Sequence, residues 1–162
     1  MFRSLNIFSL ISDIILKLSF GLIFFNYGYG KLIKLTSGEG AGLIGMVSSI
    51  PIFSIFPLFF AWSLALTETF VIFALIYGYF SFLPCSNFIS RFSGFLCLII
   101  SLTIVYVHIF MWGDNLFSNG PFEFLNTQEG KKSIFGQFLF IPISIYIIFN
   151  SRINFLAINE NK

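Results

Sequence analysis

The sequence FFNYGYGKLIK, residues 24–34, closes an apolar run that begins near Ile7. In this stretch phenylalanines give way to an asparagine, two tyrosines and two glycines, and two lysines follow. Tyrosine is enriched where a membrane helix meets the lipid head groups, and lysine favours the water beyond them. The stretch therefore indicates the outer end of a transmembrane helix that spans about residues 7–29.

The composition of the 162-residue chain also indicates a membrane protein. Hydrophobic residues make up 57% of it and charged residues 10%, whereas a soluble domain carries about 25% charged residues. Three further apolar runs, at about 57–82, 92–112 and 133–150, approach the roughly 20 residues that a helix needs to cross a bilayer. They show no strand-like alternation. The predicted fold is all-α, an integral membrane four-helix bundle formed by one domain, 1–162.

The connection between the first two spans, residues 38–56, is apolar but is broken by glycines, serines and Pro51. Such a composition favours an interfacial or re-entrant segment that lies on the bundle. A complete fifth span is the less favoured alternative.

The basic residues between the runs bear on orientation, because lysine and arginine are enriched in cytoplasmic loops. Their numbers are equal on the two sides, but most of the acidic residues lie on the side of the 113–132 loop. Both termini are therefore expected in the cytoplasm and the 113–132 loop outside.

Two charges fall well inside the predicted spans, and ionisable residues at such depth are candidates for function. At 1.5 Å per residue, Lys17 lies about 18 Å below Tyr29, and Glu68 lies about 16 Å beyond Pro57. Because a lone buried charge is unfavourable, equal depth predicts a buried Lys17–Glu68 ion pair. Asp13, one turn before Lys17, is expected nearer the inner surface. A purely structural pair that fixes which helices meet is the alternative.

The polar groups share helical faces with small residues, which let membrane helices approach closely. The three faces are Asp13, Lys17, Gly21, Phe24 and Gly28; Ala61, Ala65 and Glu68; and Gly94, Cys97, Ser101 and His108. We expect them to surround one interior.

A polar mouth is predicted at the outer end of this interior. His108 lies near the end of the third span, and Asn26 and Tyr27 stand at its level on the first. These three residues are the candidates for ligand binding. The alternative for His108 is a hydrogen-bonded residue of the membrane interface.

Several other kinds of site are not expected. One histidine, with Cys85 and Cys97 as the two cysteines and no C-x-x-C pair, gives neither a metal site nor two axial haem ligands. No nucleophile or phosphate-binding motif occurs, so no catalytic residue is identified. The basic residues lie between apolar runs, with a net charge of +2, so nucleic acid is not an expected partner.

Three motifs resemble the DoxX family of membrane proteins. LKLSFGLIFFNYGYGKL, residues 16–32, is similar to the family's first helix, with Gly28, Gly30 and Lys31 in its G-x-x-K-L ending. Residues 51–81 are similar to the second helix, with Glu68 at the family's glutamate, and VYVHIF places His108 at the end of the third. Lys17 stands where the family more often has arginine.

The resemblance implies a compact four-helix protein of the bacterial inner membrane that is associated with a quinone-linked oxidoreductase. The expected function is that of a subunit that binds quinone or another lipid-like ligand in a membrane redox complex. The Lys17–Glu68 pair would organise the pocket, and other subunits would supply the electron transfer, since no intrinsic cofactor is expected. The alternative is a non-catalytic scaffold or assembly subunit, and a small transporter is a weaker one.

Overall fold

The computed structural model describes residues 7–111 and 135–150, which are almost entirely helical. The helices are α1 (Ile7–Thr36), α2 (Ala41–Ser48), α3 (Pro57–Tyr77), α4 (Ser86–Tyr106) and α5 (Phe135–Phe149), and α4 continues as a π-helical turn, Val107–Met111. These residues contain no β-strand. The all-α prediction is confirmed, while the predicted 113–132 loop lies outside the described residues.

Three of the helices are long and apolar enough to cross a membrane: Ile7–Thr36, Pro57–Tyr77 and Ser86–Met111. The first continues seven residues beyond the predicted end at residue 29, and the third begins six residues before the predicted start at residue 92. The fourth predicted span coincides with α5, whose 15 residues rise about 22 Å. A membrane-embedded helical protein follows from the three long helices.

The outer surface of the helices is apolar. Phe59, Phe70 and Phe73 on α3 are 55–66% exposed, and Phe88 and Phe92 on α4 are 66% and 48% exposed. A soluble monomer rarely exposes so much contiguous apolar surface. This surface is suited to contact with lipid chains.

Close contacts at glycines set the antiparallel packing of α1 against α3. Gly28 lies against the Glu68–Thr69 backbone, and Gly21 lies against Ile72. The two helices therefore run in opposite directions: in the direction in which residue numbers increase along α1, they decrease along α3. Glycine is needed at position 28, because a β-carbon there would stand 2.7 Å from the β-carbon of Glu68.

Close contacts at glycines also set the packing of the other helices. Gly78, at the end of α3, lies against Ser90 near the start of α4, and Gly94 lies against Ile147 of α5. Helix α4 therefore packs between α3 and α5, and α2 rests on α3. Small residues at these four positions let the helix backbones approach, as membrane helices require in the absence of a hydrophobic driving force.

The three predicted interior faces are confirmed. All members of the stripes on α1, α3 and α4 are buried, including the terminal His108. An apolar core fills the space between the helices, and its members are Phe20, Phe24, Val71, Leu75, Cys97, Phe140 and Ile147.

The 38–56 connection forms α2 and a series of turns. It begins at Gly38, whose φ of +83° is in the left-handed region that favours glycine. The eight residues of α2 rise about 12 Å, too little to cross a bilayer. The alternative of a complete fifth span is therefore wrong. Val47 and Ile50 are buried, whereas Ile52 and Ile55 are more than 70% exposed.

The contrast between two neighbouring glycines tests the α1–α3 packing. Gly28→Ala should lower the free energy of unfolding by about 1–3 kcal/mol, because the added methyl group overlaps the α3 backbone. Gly30→Ala is the matched control, since a β-carbon there meets no atom within 4 Å, and alanine favours a helix by up to about 1 kcal/mol. Thermal unfolding of the purified variants in detergent measures both. Equal melting temperatures would show that α1 and α3 do not pack at Gly28.

Candidate functional site

The structure does not form the predicted Lys17–Glu68 ion pair. Both side chains are buried, each 2% exposed, as expected. However, Lys17 pairs with Asp13 on its own helix, and Glu68 pairs with Lys31. Among the described residues, Lys17 and Glu68 therefore belong to two ion pairs in place of the single predicted one: Lys17 with Asp13, and Lys31 with Glu68.

The first pair belongs to a buried cluster around the carboxylate of Asp13. Lys17 Nζ donates to Asp13 Oδ2 over 2.8 Å, and the Tyr79 hydroxyl donates to the same oxygen over 2.8 Å. The Tyr146 hydroxyl donates to Asp13 Oδ1 over 2.9 Å. The Lys17 ammonium also lies 5.1 Å from the centre of the Tyr79 ring, within the range of a cation–π interaction. The cluster joins α1, the end of α3 and α5.

Tyr79 lies beyond the last residue of α3 and is 8% exposed. Burial above all, and then the hydrogen bond and the negative charge of Asp13, raise the pKa of its phenol. The phenol therefore stays protonated at any physiological pH and remains a donor to Asp13.

The second pair joins α1 to α3 at the other end of the interior. Lys31 Nζ lies 2.6 Å from Glu68 Oε1 and 2.5 Å from Oε2, so the ammonium contacts both carboxylate oxygens. The Glu68 side chain is 2% exposed and that of Lys31 is 24% exposed. Lys31 thus connects a buried carboxylate with the edge of the bundle.

The register of the helices explains why the prediction failed. Glu68 lies level with Gly28, and Lys17 lies eleven residues before Gly28 on α1, or about 16 Å lower. The prediction took Tyr29 as the outer end of the span, whereas α1 continues to Thr36 and keeps Lys31 helical. Asp13 lies one helical turn from Lys17 and is the carboxylate nearer to it. Their i, i+4 spacing is the feature of the sequence that indicates this pair.

An aromatic layer occupies the interior between the two pairs. Phe20 and Phe24 of α1 contact Phe140 of α5, with ring centroids 5.7 and 5.1 Å apart. All three rings are buried. The two ion pairs therefore lie on either side of an apolar layer of aromatic rings.

The three predicted ligand-binding residues differ in burial. His108 is buried, whereas Asn26 is exposed and Tyr27 is 37% exposed on α1. His108 lies in the π-helical turn Val107–Met111, and such turns occur frequently at functional sites. The ligand-binding role of these three residues remains a prediction. In the helix-1 motif, Gly28 provides close packing, Lys31 provides the partner of Glu68, and Gly30 is exposed.

A cavity that the sequence did not predict lies between the 38–56 segment, α3 and α4. Its volume is about 300 Å³, at the lower end of the range for small-molecule sites. Val47, Ile50 and Phe53 form one wall, and residues of α3 and α4 such as Phe60 and Ile100 form the others. Neither Asn26, Tyr27 nor His108 lines it, although Val107 does.

Three hydroxyl groups interrupt the apolar lining of the cavity. They belong to Ser63 and Thr67 on α3 and to Thr103 on α4. Within residues 7–111 and 135–150, no residue that lines the cavity has a charged side chain. A concave apolar site with a few polar groups is the usual form of a site for a small ligand.

The described residues include no group of three or more His, Cys, Asp and Glu side chains that could hold a metal ion. The thiols of Cys85 and Cys97 are free, the first exposed and the second buried. Comparison with models of known protein families, with curated proteins and with solved structures finds no match. The cavity and the two ion pairs are therefore the features of the described residues that bear on function.

The pairing of Glu68 can be tested with double-mutant cycles. The cycle of Glu68→Gln with Lys31→Met should give a coupling energy of about 0.5–3 kcal/mol, because the two side chains are in contact. The control cycle of Glu68→Gln with Lys17→Met should be additive within about 0.5 kcal/mol, because Lys17 bonds Asp13. Unfolding in mixed micelles supplies the free energies. The reverse ranking of the two couplings would restore the Lys17–Glu68 pair.

The Asp13 cluster gives a second test of stability. Tyr79→Phe and Tyr146→Phe should each lower the free energy of unfolding by about 1.5–3 kcal/mol, because each removes a hydrogen bond to a buried carboxylate. Tyr77→Phe is the control. Its hydroxyl donates to the Pro84 carbonyl at an exposed position, so its loss should cost less than about 0.5 kcal/mol. Three equal losses would contradict the cluster.

Proposed function

We propose that the chain is a DoxX-like integral membrane protein that binds a quinone or another lipid-like ligand as a subunit of a membrane redox complex. The observation that carries the proposal is the 300 Å³ cavity between the 38–56 segment, α3 and α4. Its walls are almost wholly apolar, which favours a ligand taken from the bilayer over one taken from water.

The proposal includes a fourth membrane span at α5. Phe140, Ser144 and Ile147 face the interior, while Leu139, Ile145 and Phe149 are exposed. The helix packs along α4, one of the three long apolar helices. Pairing with α4 supports a position at membrane depth, and the predicted run 133–150 would rise about 27 Å.

The 38–56 segment is proposed to lie in the membrane interface or to re-enter the bilayer. Ile52, Ile55 and Phe56 are exposed on it and would meet water unfavourably. On the charge count given above, the proposal places both termini in the cytoplasm of a bacterial inner membrane. Labelling of introduced cysteines in intact cells tests this orientation.

The ion pairs have a supporting role in this proposal. The Lys31–Glu68 pair and the Asp13 cluster tie α1 to α3 and α5 on either side of the aromatic layer. They hold the α3 wall of the cavity in place from the adjacent face of the helix. Electron transfer is assigned to other subunits, because no intrinsic cofactor is expected from the sequence.

A non-catalytic scaffold subunit is the second candidate. The exposed phenylalanines of α3 and α4 favour it, because the same apolar surface that meets lipid can pack against helices of a partner. The two candidates differ in the cavity, which only the first requires to be filled by a ligand.

Filling the cavity tests the first candidate. Leu64 lines it and is half-buried, whereas Leu66 on the same helix is exposed and does not line it. Leu64→Trp should reduce the lipid-like molecules that are extracted from the purified protein by at least half, because the indole occupies their space. Leu66→Trp should leave the amount unchanged. Solvent extraction followed by mass spectrometry measures it, with melting temperatures as a check of folding.

Wild-type protein that carries no extractable quinone or other lipid-like molecule, and that binds none when it is offered, would overturn the proposal. Recovery of a larger complex with such an empty protein would instead favour the scaffold.

A further inference from the structure

The lining of the cavity bears on the charge of its ligand. None of the described residues that line it is an aspartate, glutamate, lysine, arginine or histidine. A carboxylate or phosphate placed there would be removed from water without a counter-charge, which is strongly unfavourable. The cavity is therefore complementary to an uncharged molecule.

The three hydroxyl groups of the lining lie within about one helical turn of one another along the bundle. Ser63 and Thr67 are four residues apart, so they lie on one face of α3. The contact of Gly78 with Ser90 sets the register of α3 against α4. Counting thirteen residues away from that contact, backward along α3 and forward along α4, gives position 65 on α3 and Thr103 on α4. Thr103 thus stands between the levels of Ser63 and Thr67, and the three form one polar patch.

These hydroxyls are available to a ligand. No hydrogen bond of Ser63, Thr67 or Thr103 occurs within residues 7–111 and 135–150, although other helical hydroxyls, such as that of Thr69, donate to a backbone carbonyl. All three side chains are half-buried at the cavity wall. Each hydroxyl can donate one hydrogen bond and accept others.

We propose that the occupant of the cavity is an uncharged lipid whose head group carries a carbonyl or hydroxyl oxygen. The oxygen sits at the patch formed by Ser63, Thr67 and Thr103, and the tail follows the apolar wall of α4. From Leu96 to Val107 this wall rises about 16 Å, enough for a ring and part of a chain. The inference rests on the proposed function and narrows its ligand to neutral molecules.

Three probes with similar tails test the charge selectivity: 2-decyl-1,4-benzoquinone, dodecanol and dodecanoate. Binding to the purified full-length chain is measured by native mass spectrometry at pH 8, where dodecanoate is ionised. The quinone and dodecanol should bind, and dodecanoate should bind at least tenfold more weakly, because its charge has no partner in the cavity.

Removal of the hydroxyls tests the position of the head group. Ser63→Ala, Thr67→Val and Thr103→Val should each weaken quinone binding roughly two- to tenfold, the effect of one hydrogen bond. The control is Ser144→Ala. Its hydroxyl is buried and makes no hydrogen bond to a described residue, but it does not line the cavity, so quinone binding should not change.

The outcomes are distinguishable. Binding of dodecanoate as tight as that of dodecanol overturns the neutral-ligand inference while lipid binding itself stands. Unchanged quinone affinity in all three hydroxyl variants overturns the placement of the head group. If no probe binds to a folded wild-type protein, the inference and the proposed function both fail.

Discussion

A carboxylate buried among membrane helices must find its hydrogen-bond donors within the protein, and this constraint organises the structure. The Asp13 carboxylate accepts hydrogen bonds from one ammonium and two phenol groups, which belong to α1, the end of α3 and α5. The Glu68 carboxylate accepts them from the ammonium of Lys31. Because removal of either set of donors would leave a charge in an apolar interior, the ion pairs fix which helices meet and at what height.

The two pairs leave the middle of the interior to aromatic rings. Phe20, Phe24 and Phe140 pack there at ordinary ring distances. A single central pair would have placed charge at this level. Because the pairs form nearer the two ends, both carboxylates have hydrogen-bond donors. The centre is filled by close packing of aromatic rings, which dispersion contacts favour.

The cavity lies along a face of α3 adjacent to the one that carries Glu68. One face of α3 carries Ala61, Ala65 and Glu68 toward α1, and the adjacent face carries Ser63 and Thr67 toward the cavity. The rigid contacts of the first face therefore support the second. Helix α4 and the 38–56 segment supply the other walls, the segment through residues such as Val47 and Ile50. Other apolar side chains of the segment, Ile52, Ile55 and Phe56, are exposed.

The sequence by itself determined the helical class, the approximate positions of the long apolar helices and the buried faces of three of them. It could do so because helical period and hydrophobicity are local properties. Only the tertiary structure decided the partners of Lys17 and Glu68 and the presence of the cavity. Both depend on the register between helices, which is set by contacts such as Gly28 on Glu68 and Gly78 on Ser90. The register sets Glu68 level with Gly28 and not with Lys17, eleven residues earlier, and this changes its ion-pair partner without altering any local pattern.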